Sequence, residues 1–355
     1  MRRVIVILLM LLAPAMVVAQ EQDAASAQQR WFSTVSAAAA ADTVPVAVRQ
    51  PQAEDTVAAV QRRRRRGSMV GYIDDPTVGS KLRIRFEAAF ENRVPDRAEF
   101  FYAKCGCYRL DVPADDPAHD PLAPGPGPGV PSHVNFQQVY LSGEYGVNER
   151  ISAFVQLPLR WIQPQFEDGG AGFDEAVGLG DLRAGLKLGL IAETDRLVTL
   201  QVQAHLPTGD PAKGLGTDHT SLESALLLFQ QLSDRLGLEA QGGVWLPLGG
   251  SAGVPTDTDE RFSGTILYGG IGPSFELYRS ERLQFAPVVE LLGWRVMDGF
   301  QTAATSDAGG TSIVNLKIGT RTSFGQGSIY LGYGTALTSA SWYDDIIRAE
   351  YRHTF

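Results

Sequence analysis

From Lys81 onward, hydrophobic and polar residues alternate singly in segments of about ten residues, the period of β-strands with one apolar face. In the first segment Leu82, Ile84, Phe86, Ala88 and Phe90 fall on one face, while Arg83, Arg85, Glu87 and Glu91 take the other parity. The last segment repeats this, with Ile347, Ala349, Tyr351, His353 and Phe355 opposite Arg348, Glu350, Arg352 and Thr354. The same reading predicts twelve strands, at about 81–91, 134–146, 151–163, 178–191, 197–208, 221–232, 236–247, 263–277, 283–295, 312–324, 328–337 and 345–355.

The connections alternate in length. Short turns fall at Gly146 to Arg150, Ala192 to Arg196, Ser233 to Arg235, Tyr278 to Arg282 and Gly325 to Gly327. Gly-, Pro-, Asp- and Thr-rich connections occupy about 92–133, 164–177, 209–220, 248–262, 296–311 and 338–344. Short turns at one end and long loops at the other mark a transmembrane antiparallel up-and-down β-barrel, all-β in class. A β-sandwich also alternates, but it does not explain the regular contrast of loop lengths. Closure is required in lipid, where an open edge leaves backbone groups unpaired at several kcal/mol each, so the last strand is expected to pair with the first. An even strand number brings both termini to the same side, expected to be the periplasm.

The start of the chain adds an export signal. Arg2 and Arg3 precede an apolar stretch from Val4 to Val18, broken by Pro14, and Val17-Val18-Ala19 offers a small-residue cleavage site, so residues 1–19 read as a signal peptide. No later run of about 18 apolar residues exists, which excludes a helical membrane protein. Residues 20–66 lack alternation and read as a disordered periplasmic leader ending in the arginine run Arg62 to Arg66; the barrel domain is assigned to 67–355. Phe355 closing the chain, with Tyr351 on the same face, resembles the assembly signal of outer-membrane barrels and makes outer-membrane lipid and the barrel assembly machinery the expected partners.

Composition agrees with this placement. Mean hydropathy is −0.07, as expected when every second strand residue faces water. A net charge of −9 argues against nucleic acid as a partner. Cys105 and Cys107, in Cys-Gly-Cys, would meet an oxidising compartment and form a tight disulfide; without further Cys or nearby His, a metal site has little support.

Gly178-Leu-Gly-Asp-Leu-Arg-Ala-Gly-Leu-Lys187, Leu206-Pro-Thr-Gly-Asp210 and Gly214-Leu-Gly-Thr217 resemble the phenol-degradation meta-pathway family of outer-membrane β-barrels, many of whose members are called transporters. The likeness runs from about Phe136 to Phe355, and it implies transport of small aromatic compounds. Physically the motifs read first as architecture: glycines relieve crowding at a strand start, and Pro207 to Asp210 turns the chain at the rim. Asp181 and Asp210 at that rim could also guide polar cargo.

With the apolar parity towards lipid, the lumen receives charges of both signs. Arg83, Arg85, Glu87, Glu144, Arg160, Asp181, Arg183, Lys187, Arg348 and Arg352 are the candidates for solute selectivity, with a basic ladder where the first strands meet the last. These groups either pair across the interior and plug it or line a wet pore; twelve strands fall between filled eight-stranded barrels and open porins. Aromatics near strand ends, including Tyr145, Trp161, Trp245, Phe275, Trp294, Phe324, Tyr333 and Trp342, are expected in interfacial girdles. Phe100, Phe101, Tyr102 and Tyr108 in the first long loop are candidate ligand contacts.

The resulting expectation is a passive channel or transporter for small molecules, possessing no catalytic residue, cofactor or metal. The alternatives are a closed structural or surface-binding barrel and, less favoured, a lipid-acting enzyme. His219-Thr220-Ser221 has the His-x-Ser spacing of a barrel phospholipase, but Leu222 and Glu223 follow where that pattern has Asn-Gly, and no orienting Asn is evident.

Overall fold

A computed structural model describes residues 68–92, 133–165, 175–210, 213–217, 219–248, 264–298, 300–301, 306–307 and 309–355. The segments assigned as signal peptide and leader, the loop aromatics at 100–108, and Cys105 and Cys107 lie outside the described residues.

Twelve antiparallel strands form the wall: β1 (Lys81–Asn92), β2 (His133–Gly146), β3 (Ile151–Gln165), β4 in two stretches (Ala176–Leu179 and Leu182–Ala192), β5 (Arg196–Leu206), β6 (Thr220–Gln231), β7 (Leu236–Leu248), β8 (Ile266–Phe275), β9 (Leu283–Val296), β10 (Ser312–Phe324), β11 (Gly327–Ala336) and β12 (Asp345–Thr354). Each pairs with its neighbours in sequence, and β1 closes on β12 in continuous register from Lys81↔Thr354 to Phe90↔Asp345. No strand edge is left in the membrane-facing wall, as lipid demands. Tyr278–Arg279 adds a short bridge to β9, and Phe300–Gln301 pairs with Ser306–Asp307 in a connection.

The predicted strands agree with the observed ones to within a few residues, and departures have local causes. At the break in β4 the Gly180 N–H donates to the Pro158 carbonyl at 2.9 Å, and Asp181 turns aside to accept from the Gly209 and Thr217 N–H groups at 3.0 and 2.8 Å. The rim motif thus ties two connections together. The β8–β9 ladder skips from Val288↔Ser274 to Leu291↔Ile271, where Pro273 has no N–H to give.

Alternation sorts the side chains as the sequence requires. Leu141, Leu186, Ile318 and Leu331 are exposed on the outward face, the belt that lipid would cover. Inside, Glu239, Glu290, Lys317 and Arg321 are 0% exposed, so each of these charges needs partners within the barrel. Trp245, Trp294 and Trp342 correct the girdle expectation. Trp245 and Trp294 share the inward parity of Gln241 and Glu290, and Trp342 is fully buried. Together with Phe136, Ile162, Ile266, Val296, Ile313 and Ile346, they form an apolar layer across the lumen at the end bearing the long connections.

Candidate functional site

The lumen is occupied by the chain itself. Residues 68–80, just before β1, run inside the barrel without joining the sheet, and their backbone is held by lumen side chains. Six consecutive N–H groups are taken up by three residues. Glu239 Oε1 accepts from Met69 and Val70 at 2.8 and 3.4 Å; Glu290 accepts from Gly71, Tyr72 and Ile73 at 2.9, 2.8 and 2.8 Å; Gln241 Oε1 accepts from Asp74 at 2.9 Å. Successive N–H groups converging on a carboxylate form an anion nest, here filled by the barrel wall.

Cations hold the carbonyl side. Arg321 donates from Nε to the Met69 carbonyl at 3.0 Å and from Nη2 to that of Val70 at 2.6 Å, while Arg348 donates to the Gly71 carbonyl. Lys187 Nζ reaches the Asp75 carbonyl at 2.7 Å, and Thr199 Oγ1 that of Pro76 at 2.6 Å. The Asp75 carboxylate pairs with Lys81 at 2.7 Å and Arg352 at 3.1 Å. Burial pushes its pKa up, but Lys81, Arg352 and Lys187 prevail and hold it well below the usual carboxylate range.

Apolar contacts fix the tip. The Arg348 guanidinium lies 3.8 Å from the Tyr72 ring centroid and Lys317 Nζ 4.6 Å from it, with Lys317 also donating to Tyr343 Oη at 2.8 Å. Val70 and Ile73 pack with Ala286, Val288 and Leu292 of β9. Val70 lies so close to β8 that a Cβ at Gly272 would stand 2.8 Å from Val70 Cγ1, and against β11 a Cβ at Gly71 would stand 2.1 Å from Tyr330 Cε1. Beside the Tyr330 ring Gly71 leaves no room for a side chain, while at Gly272 a side chain needs Val70 to give way.

Beside this segment remains a cavity of about 150 Å³, bounded by it on one side and by inward residues of every strand except β11 on the other. Of the candidate selectivity residues, Arg83, Arg85, Glu87, Glu144, Arg183, Lys187 and Arg348 line it. The other three stand elsewhere. Arg160 donates to Gln138 Oε1 at 3.2 Å in a buried position, Asp181 anchors the rim connection, and Arg352 is bound to Asp75, Glu350 and the Ser68 carbonyl. The basic residues are not a bare ladder: Glu87 pairs with Arg85 and Arg348, and Glu144 lies 3.3 and 3.2 Å from Lys81 and Lys187.

Gln201, Gln203 and Gln241, which alternation assigns to the lumen although they are not among the selectivity candidates, line the cavity together with Tyr140 and Tyr268, which the sequence reading does not single out. For Tyr140 and Tyr268 the signal is their inward parity, shared with Gln138 and, across the β7–β8 ladder, with Gln241. His219 Nδ1 lies 2.9 Å from the Thr217 carbonyl, and Ser221 faces inward on β6, 1% exposed, away from lipid.

Neither a protein-family profile nor a curated protein sequence matches the chain. Among solved structures it is similar to an outer-membrane channel from Pseudomonas putida F1, with a TM-score of 0.51 and 13% identity over 81% of this chain and 99% of that one. The chain has the fold of an outer-membrane barrel. LpxR from Salmonella typhimurium follows at TM-score 0.42 and 10% identity, covering 78% of this chain and 100% of that one. The NanC porin stands at 0.39 and 6%, with coverage of 78% and 100%. These two likenesses are too loose to bear on function.

Proposed function

We propose that the protein is a bacterial outer-membrane channel for small solutes, exported by its signal peptide, with both termini on the periplasmic side, and kept shut at rest by residues 68–80. The observation that carries this reading is the lumen itself: a polar interior with a residual cavity, closed by a chain segment held through side-chain contacts and not by strand pairing. A purely structural barrel needs no such cavity. Solutes would pass by diffusion once the segment withdraws, and the charges along the cavity would set selectivity.

The P. putida protein is called a channel, which supports the same reading, but the small aromatic cargo that the motif resemblance implies is not what the mainly polar and charged lining of the cavity favours. The lipid-acting alternative is disfavoured by Ser221 facing the lumen. The test is single-channel recording of the full mature chain in planar bilayers. Wild type is expected to open rarely, and Arg321→Met, which frees the Met69 and Val70 carbonyls, to open often. A folded Arg321→Met barrel that never conducts would refute the proposal.

A further inference from the structure

The cavity beside the inserted segment has a chemistry of its own. Arg83, Ser142, Gln156 and Arg183 stand next to one another on β1, β2, β3 and β4 in direct cross-strand register, forming one row across the wall. The charges lining the whole cavity are seven cationic (Lys81, Arg83, Arg85, Arg183, Lys187, Lys317, Arg348) against five acidic (Asp74, Asp75, Glu87, Glu144, Glu223), an excess of two positive charges. Most acids are matched to named cations. Arg83 is matched least: among the described residues it makes no hydrogen bond, its one ion pair is with Glu350 Oε2 at 3.9 Å, and its side chain is 21% exposed.

The amides are half used. Gln156 donates from Nε2 to Ser142 Oγ at 2.9 Å, Gln201 to Asp74 at 2.9 Å and Gln203 to Glu223 at 2.6 Å, while each Oε1 has no hydrogen bond among the described residues. Gln241 accepts through Oε1 and keeps its Nε2 unengaged. Three acceptors and one amide donor thus face a cavity whose far end carries the apolar surfaces of Phe136 and Trp245.

We propose that this cavity is a binding site for a small hydroxylated carboxylate, of the size and chemistry of a sugar acid, with Arg83 as its carboxylate anchor. A guanidinium engages a carboxylate with paired N–H donors, and amide oxygens accept from hydroxyls. A solute without hydroxyls would leave those amides dry and unpaired, which selects against it more strongly than missing apolar contact would. The volume suits the class, since about 150 Å³ corresponds to on the order of ten water positions. This rests on the channel reading for its physiological meaning but not for its test.

The test is calorimetric titration of the detergent-solubilised full mature chain with gluconate, benzoate and glucose. Gluconate is expected to bind, with benzoate and glucose each at least tenfold weaker. Arg83→Gln should weaken gluconate binding at least tenfold and Gln156→Leu several-fold, both with an unchanged heat-shifted gel band for the folded barrel. Arg196→Gln, at an exposed turn, should leave binding as it is. Benzoate binding as tightly as gluconate, no gluconate binding by the folded wild type, or binding indifferent to Arg83→Gln would each overturn the proposal. Binding without conductance would remove the channel and keep the site; conductance with gluconate binding unaltered in Arg83→Gln would do the reverse.

Discussion

The Glu290 carboxylate accepts the backbone N–H of Tyr72 at 2.8 Å, although 218 residues separate the two in sequence. Glu290 also takes the flanking N–H groups of Gly71 and Ile73, so one wall residue fixes three successive peptide units in the middle of the lumen.

Removing that acceptor should therefore free the segment while sparing the wall. Charge-assisted hydrogen bonds contribute about 1.5–3 kcal/mol each, so losing even one fully in Glu290→Ala should speed amide exchange at residues 71–73 by about tenfold to 100-fold. Hydrogen exchange with mass spectrometry reads this directly. Unchanged protection at 71–73 would show that the segment is held by other contacts.

Tyr72 separates ring from hydroxyl. Its ring meets Arg348 and Lys317, while its buried hydroxyl has no hydrogen-bond partner among the described residues. Tyr72→Phe should accordingly leave channel opening unchanged, whereas Tyr72→Leu, losing cation–π contacts of roughly 0.5–2 kcal/mol, should raise open probability by about tenfold. Equal effects of the two substitutions would contradict the assignment.

Acid should loosen the segment through Asp75. Its native pKa is lowered, so it stabilises the closed form fully above the unfolded carboxylate value of about 3.9, and that contribution is lost as pH falls below it. The part of opening owed to Asp75 should rise as pH falls below about 4. Asp75→Asn should open more often already at pH 7 and lose the part of the acid response owed to this group. Recording over that range with both proteins checks it, and an identical acid limb in Asp75→Asn would exclude Asp75 as the source.

The wall was legible in the sequence because a strand's period of two is written in each side chain. Glu87, Glu239 and Arg348 all fall on the lumen face that alternation assigns them. The inserted segment was not legible. Its bonds run from backbone groups, which leave no residue signature, to side chains such as Lys187 and Arg352, 112 and 284 positions away from their partners. One trace existed: Glu239 is flanked in register by Phe229 and Gly272, so no neighbouring strand supplies the cation or donor that a buried carboxylate needs. Trp245 and Trp294 lie near strand ends, where girdle aromatics are expected, but their parity is inward, and parity decides the side.

Charge reversal in the cavity tests the selectivity assignment. If Arg83 and Arg183 face the conducting path, Arg83→Glu with Arg183→Glu should shift reversal potentials under a salt gradient towards cation preference, whereas the same change at Arg160, buried and not among the residues lining the cavity, should shift them far less. Selectivity unaltered by the paired reversal would take both residues out of the path.

The central claim, that withdrawal of residues 68–80 opens the barrel, is tested most directly by tying the segment to the wall. Val70→Cys with Gly272→Cys places two thiols where a Cβ at Gly272 would lie 2.8 Å from Val70 Cγ1, with Cys105 and Cys107 replaced by Ser to prevent exchange. Single-channel recording should find the oxidised protein silent and the reduced protein conducting; equal conductance before and after reduction of a confirmed cross-link would contradict the account.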